Sequence, residues 1–171
     1  MSKTLTYLHG ALVAATLALV SMPGKGEEVF EVALKNPAFT EGVDNNGVPV
    51  GWSRYAGAGK DQSLEIVDGP EGGKALLIAD GDAAAEIGVN QTFPLKESET
   101  YRASVQVKAV KGASPAGSYL QFRFLPSNEF AQTGLWSDST ETFLEVSVTA
   151  TAPAGTKTAM IDIVVASTAR P

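Results

Sequence analysis

The side chains that drive most hydrolytic chemistry are scarce here. The 171-residue chain has no Cys, and its only His is His9, in an apolar N-terminal stretch. Beyond that stretch the chain cannot assemble a Ser-His-Asp triad, a cysteine nucleophile or a usual zinc site. Paired carboxylates could still hydrolyse a glycosidic bond without His. Glu86, Glu129, Glu141, Glu145 and Asp162 are the candidates, but no spacing pairs any two of them, and they read as solvated surface acids. Asp44-Asn45-Asn46-Gly47 and Asp80-Gly81-Asp82 cluster oxygen donors without full EF-hand spacing, so they read as turns.

A binding surface is better represented. Tyr119, Gln121 and Arg123 alternate with Leu120, Phe122 and Phe124. Such a strand presents an aromatic ring, an amide and a guanidinium on one face, groups that stack on a pyranose and bond its hydroxyls. Trp136 lies in the loop Gly134-Leu135-Trp136-Ser137-Asp138, where an exposed aromatic can make contact. Trp52 and Tyr55 are further aromatics, with Trp52 expected in the core.

The N-terminus reads as an export signal. Lys3 precedes the run Ala11–Val20, which is apolar except for Thr16 and too short to span a bilayer as a helix. Pro23, Gly24 and Gly26 follow, placing a cut before Glu27. Residues 1–26 are expected to be a signal peptide that stays off the domain, and residues 27–171 a single domain, secreted or periplasmic. Every Asp and Glu lies beyond residue 26, which gives that part a net charge of −8. That balance excludes nucleic acid and anionic membrane surfaces as partners, since both demand a basic patch.

The elements that carry these side chains are strands. Tyr101–Ala109, Tyr119–Leu125, Leu144–Ala150 and Ala159–Val165 alternate apolar with polar. Val29–Leu34, Gly51–Tyr55, Ser63–Val67, Lys74–Ala79 and Glu86–Phe93 are shorter candidates. Gly- and Pro-rich clusters such as Gly42–Pro49, Asp68–Gly73 and Lys111–Gly117 separate them. About nine short strands with one polar face each predict an all-β, antiparallel two-sheet sandwich.

The order of several pieces is similar to galactose-binding-like jelly rolls, including carbohydrate-binding modules of the family 4/9/22 group. Asn36-Pro37-Ala38-Phe39 followed by Gly47-Val48-Pro49-Val50-Gly51-Trp52 resembles their opening. Gly72-Gly73-Lys74-Ala75-Leu76 looks like their Gly-Lys-x-Ala-Leu turn. Ser98–Ser104 with Val107-Lys108-Ala109 resembles their Tyr-containing strand, and Phe143–Pro153 the strand that ends in Thr-x-Pro-Ala-Gly. The resemblance implies a jelly roll that binds polysaccharide or another glycan. The expectation is therefore a secreted, non-catalytic module with Tyr119, Gln121, Arg123 and Trp136 at its ligand site. A structural or adhesive sandwich contacting protein or envelope surfaces is the alternative.

Two departures from the family matter. Thr40 stands where the family has Glu, with Glu41 next, and no Asp-Asp-Val-x-Leu strand precedes Pro171. The acids that hold a structural calcium in the family are thus out of place, and no cofactor is expected. An unfilled strand position would leave an edge open, partly covered by Val29–Leu34, and weak self-association is expected from it.

Overall fold

A computed structural model describes residues 10–14, 20–21, 34–56, 59, 61–110, 117–135 and 139–166, the first two segments by backbone alone. Among the described residues there are eleven strands: β1 (Gly10–Ala14), β2 (Val20–Ser21), β3 (Ser53–Arg54), β4 (Gln62–Asp68), β5 (Lys74–Asp80), β6 (Ile87–Pro94), β7 (Thr100–Ala109), β8 (Tyr119–Leu125), β9 (Phe130–Gly134), β10 (Leu144–Thr151) and β11 (Thr158–Val165). One short 3₁₀ turn, Pro70–Gly72, lies between β4 and β5. Among the described residues there is no α-helix, so none that is long and apolar enough to cross a membrane.

All pairings are antiparallel. One sheet runs β10-β7-β1-β5-β4, with β2 also on β7; the other runs β3-β6-β11-β8-β9. The two sheets face each other as a β-sandwich, the architecture the alternation predicted. Alternate residues meet in the core: Leu76 and Ile78 of β5, Ala103, Val105 and Val107 of β7, Leu120, Phe122 and Phe124 of β8, and Ile161 and Ile163 of β11. Phe122 lies parallel to Phe124 at 6.1 Å and edge-on to Phe93 at 6.3 Å. Burying one such side chain is worth roughly 1.5–3 kcal/mol, so the second sheet is pinned from beneath.

Strands with clean alternation match their expected bounds within a residue or two. The others differ for physical reasons. Gly51–Tyr55 shrinks to the two residues of β3, because Trp52 bonds back to Pro49 and turns the chain there. β9 was not anticipated; Phe-Ala-Gln-Thr-Gly has no clear period, and only its pairing with β8 makes it a strand. Residues 29–33 of the expected Val29–Leu34 strand lie outside the described residues, while Leu34 is in the core. The expectation that residues 1–26 stay off the domain needs correction, since Gly10–Ala14 is hydrogen-bonded between β5 and β7. A short apolar run can complete an open ladder as readily as it can form a signal helix.

The turn readings agree with the structure. Asp44 Oδ1 accepts from the Asn46 and Val48 amides at 2.8 and 2.9 Å. These bonds hold its carboxyl below the usual range. Asp80 Oδ1 and Asp82 Oδ1 likewise accept from the amides of Asp82 and Ala84.

Candidate functional site

The outward face of the second sheet is where the chemistry gathers. Register sets Ser53 opposite Asn90, Asn90 opposite Asp162, Asp162 opposite Gln121, and Gln121 opposite Gln132. A polar row therefore crosses all five strands, a span of about 19 Å at ordinary strand spacing. The neighbouring row places Gly88, Val164 and Tyr119 together, and the row on the other side places Thr92, Met160, Arg123 and Phe130 together. Phe130 is 61% exposed, an apolar ring left standing at the sheet edge.

Tyr55 joins this face because its amide bonds to the Gly88 carbonyl, extending β3 along β6. Gly88 is required there: a Cβ at that position would run into the Ile163 carbonyl of β11. The Tyr119 hydroxyl donates to the Tyr55 hydroxyl at 3.0 Å and lies 3.4 Å from Glu86 Oε1. The two rings meet edge to face, 6.4 Å apart. Arg123 Nη2 donates to the Tyr55 hydroxyl and to Gln121 Oε1, both at 3.3 Å, and the guanidinium lies 5.7 Å from the Tyr55 ring centre. Gln121 Nε2 in turn donates to Gln132 Oε1 at 2.9 Å.

Beneath this network lies Asp162. It is fully buried, and its Oδ2 is 3.2 Å from Arg123 Nη2. Neither carboxylate oxygen has a well-aligned hydrogen-bond donor. Burial pushes the carboxyl up to about 6, against the pull of the Arg123 charge and with help from Glu86 nearby. Burial and the bond to Tyr55 also keep the Tyr119 hydroxyl protonated well above the usual tyrosine range.

Of the four residues expected at the site, Tyr119, Gln121 and Arg123 share one hydrogen-bonded cluster. Trp136 lies outside the described residues. Trp52 is in the core as expected, 5.5 Å from Phe39, with its indole N–H donating to the Asn36 carbonyl at 3.1 Å. The view of all five candidate acids as solvated needs correction. Glu129, Glu141 and Glu145 are exposed, but Asp162 is not, and Glu86 is half-buried against Tyr119. Sequence reading named Tyr55 among the aromatics without joining it to this cluster, and it missed Gln132 and Phe130; all three positions depend on strand pairing. The one available signal was Asp162 itself, an acid in the apolar run Met160–Val165. An open cavity of about 520 Å³, lined by Asp44, Asn46, Val48, Trp52, Ser53 and Arg54, adjoins the Ser53 end of the row.

Fold and site together define an antiparallel β-sandwich with a partly desolvated polar and aromatic cluster on one outer sheet face. No protein-family model matches the chain, and no curated protein matches it in sequence. Among solved structures it is similar to the enzymatically active domain of bacteriophage CBA120 tailspike protein 4. The TM-score is 0.62 at 12% identity, over 81% of this chain. The match spans 20% of the tailspike chain. This finding overturns the expectation of a non-catalytic module, and with it the structural or adhesive alternative: the shared fold occurs within a domain described as enzymatically active.

Proposed function

We propose that this protein acts on glycans, hydrolysing a glycosidic bond on the outer face of the second sheet with Asp162 and Glu86 as its two carboxyls. The observation that carries this reading is the pair's unequal environment. Glycoside hydrolysis needs one carboxyl that holds a proton near neutral pH and a second that is ionised. Asp162, pushed up to about 6, is suited to the first role. Glu86, half-buried with its Oε1 3.4 Å from the Tyr119 hydroxyl, is the second carboxyl. Asp162 is fully buried, so its proton reaches a glycan only when Arg123, whose side chain is 31% exposed, turns aside.

Binding follows from the same face. Tyr55, Tyr119 and Phe130 offer rings for sugar C–H faces, while Gln121, Gln132 and Arg123 bond hydroxyls. The row of polar residues is long enough for several linked pyranose rings. The sequence resemblance to jelly rolls of the carbohydrate-binding family 4/9/22 group supports a polysaccharide there, and the N-terminal signal pattern supports export to meet it. Incubation with a panel of neutral and acidic polysaccharides, with detection of new reducing ends, tests the reading. Wild type is expected to release product from at least one polysaccharide, while Asp162→Asn and Glu86→Gln release about 10²–10⁴-fold less. No product from wild type on any polysaccharide would sink the proposal.

A further inference from the structure

β3 is a two-residue edge strand, and its side chains alternate across that edge. Ser53 stands opposite Asn90 on the outer face, whereas Arg54 stands opposite the fully buried Val89. Arg54 therefore has the inward register, yet its guanidinium reaches the turn Asp44–Val48 instead of the core. Its Nη2 donates to the Asn46 carbonyl at 3.3 Å. Its Nη1 is buried and has no acceptor among the described residues, and Arg54 is in no ion pair there. A guanidinium carries five donors in a fixed fork, so one long bond leaves most of that capacity unused.

The turn facing it is held in place by the backbone. Asp44 N–H donates to the Val48 carbonyl at 2.8 Å, Val50 N–H to the Gly42 carbonyl at 3.1 Å, and Asn36 Nδ2 to the Val50 carbonyl at 2.9 Å. The Asn46 and Val48 amides fix the Asp44 carboxylate and fill two of its roughly four lone-pair positions. Arg54 is close enough for its charge to be felt there. Both side chains line the open cavity of about 520 Å³, a volume within the range of small-molecule sites. Trp52 and Val48 add an apolar wall, and Ser53 and Asn46 complete the rim. A donor fork beside a fixed acceptor suits a group that both accepts and donates, as a hydroxyl does and a carboxylate or ammonium does not. The net charge of −8 beyond residue 26 also opposes a polyanion.

We propose that this cavity is a further glycan subsite, which takes an uncharged sugar unit by two neighbouring hydroxyls, one accepting from Arg54 and the other donating to Asp44. This rests on the glycan reading of the outer sheet face and fixes the substrate class as a neutral polysaccharide. The guanidinium turns from its long bond to the sugar, while Trp52 and Val48 cover C–H groups of the ring. Ser53 lies two strand spacings from Asp162, about 10 Å, so one glycan chain can occupy the cavity and cross the tyrosine cluster.

Titration calorimetry of the full chain against soluble glucan, xylan, galactomannan and polygalacturonate tests this, followed by a hexasaccharide of the best binder. A neutral polymer is expected to bind best. Arg54→Gln and Asp44→Asn should each weaken hexasaccharide binding about tenfold or more, and Arg54→Lys, which keeps the charge but loses the fork, should fall between wild type and Arg54→Gln. In wild type the hexasaccharide should also move the Arg54 Nε–Hε NMR signal, a readout that no variant's folding can disturb. Binding that moves this signal without new reducing ends would keep the subsite and sink hydrolysis. Product released equally by wild type and Arg54→Gln would keep hydrolysis and overturn the subsite. An unmoved Arg54 signal, a preference for polygalacturonate, or no binding to any of the four polymers would overturn it as well.

Discussion

Two acid–base pairs, one on each sheet, respond in opposite ways to having a cation beside them. Asp68 and Lys74, closing β4 onto β5, lie 2.9 Å apart with side chains 91% and 47% exposed. The hydrogen bond and charge of Lys74 hold Asp68 below the usual carboxylate range. Asp162 and Arg123 lie 3.2 Å apart on the second sheet, but Asp162 is fully buried and its carboxyl is pushed up. The cation is present in both, so the difference comes from water. An exposed pair gains a little from attraction, whereas a buried carboxylate loses hydration that one imperfectly aligned guanidinium does not replace. The first pair ties a hairpin, and in the second the buried carboxyl keeps its proton to higher pH.

The largest effect that would sharpen this contrast is on catalysis. Asp162→Asn or Glu86→Gln should lower the rate of glycan cleavage by about 10²–10⁴-fold, the usual contribution of a positioned acid or base. Asp68→Asn should leave the rate unchanged, as measured by reducing-end release under the same conditions. Next is Arg123→Ala, which leaves Asp162 buried without its cation. At pH 7 it should cost about 1–2 kcal/mol of stability in denaturant melts, because Asp162 without its cation takes up a proton instead of staying charged, and less at pH 4, where Asp162 is already protonated.

A further effect separates the pairs by pH. Asp162 keeps its proton in the folded chain between 3.8 and about 6, a window in which the unfolded chain has released it. Stability should therefore fall as pH rises through that window, by roughly 3 kcal/mol in all, and Asp162→Asn should lack this decline. Melting curves across pH 3.5–7 (about 25 °C reference conditions) for both proteins check the sign. The smallest effect belongs to the exposed pair: Lys74→Ala should change stability by no more than about 0.5 kcal/mol. A Lys74→Ala loss as large as that of Arg123→Ala would break the comparison.

The legibility of the sequence followed the same division. Alternation in Tyr101–Ala109 and Tyr119–Leu125 fixes which residues face the core, because period two is a local property. It also assigns Tyr119, Gln121 and Arg123 to one outer face. Alternation does not say whether that face is wet. Asp162 has the same outward register as Arg102 on β7, yet Arg102 reaches Glu145 at 2.7 Å in a partly exposed pair while Asp162 is sealed. Arg123 lies 3.2 Å from it, in one cluster with Tyr55 and Tyr119, residues that are far apart in sequence and meet only through the β3-β6-β11-β8 pairing. The strand Gly10–Ala14 was hidden for another reason: a continuous apolar run of that length suits a signal segment and a short strand equally well.

The most direct measurement is a site-resolved NMR titration of the Asp162 and Asp68 carboxyl carbons, with and without an oligosaccharide from the cleaved polysaccharide. The account predicts an Asp162 midpoint near 6 that moves when the oligosaccharide binds. Asp68 should titrate below 3.8 and ignore the ligand. An Asp162 midpoint at or below 3.8, indifferent to the oligosaccharide, would contradict the account.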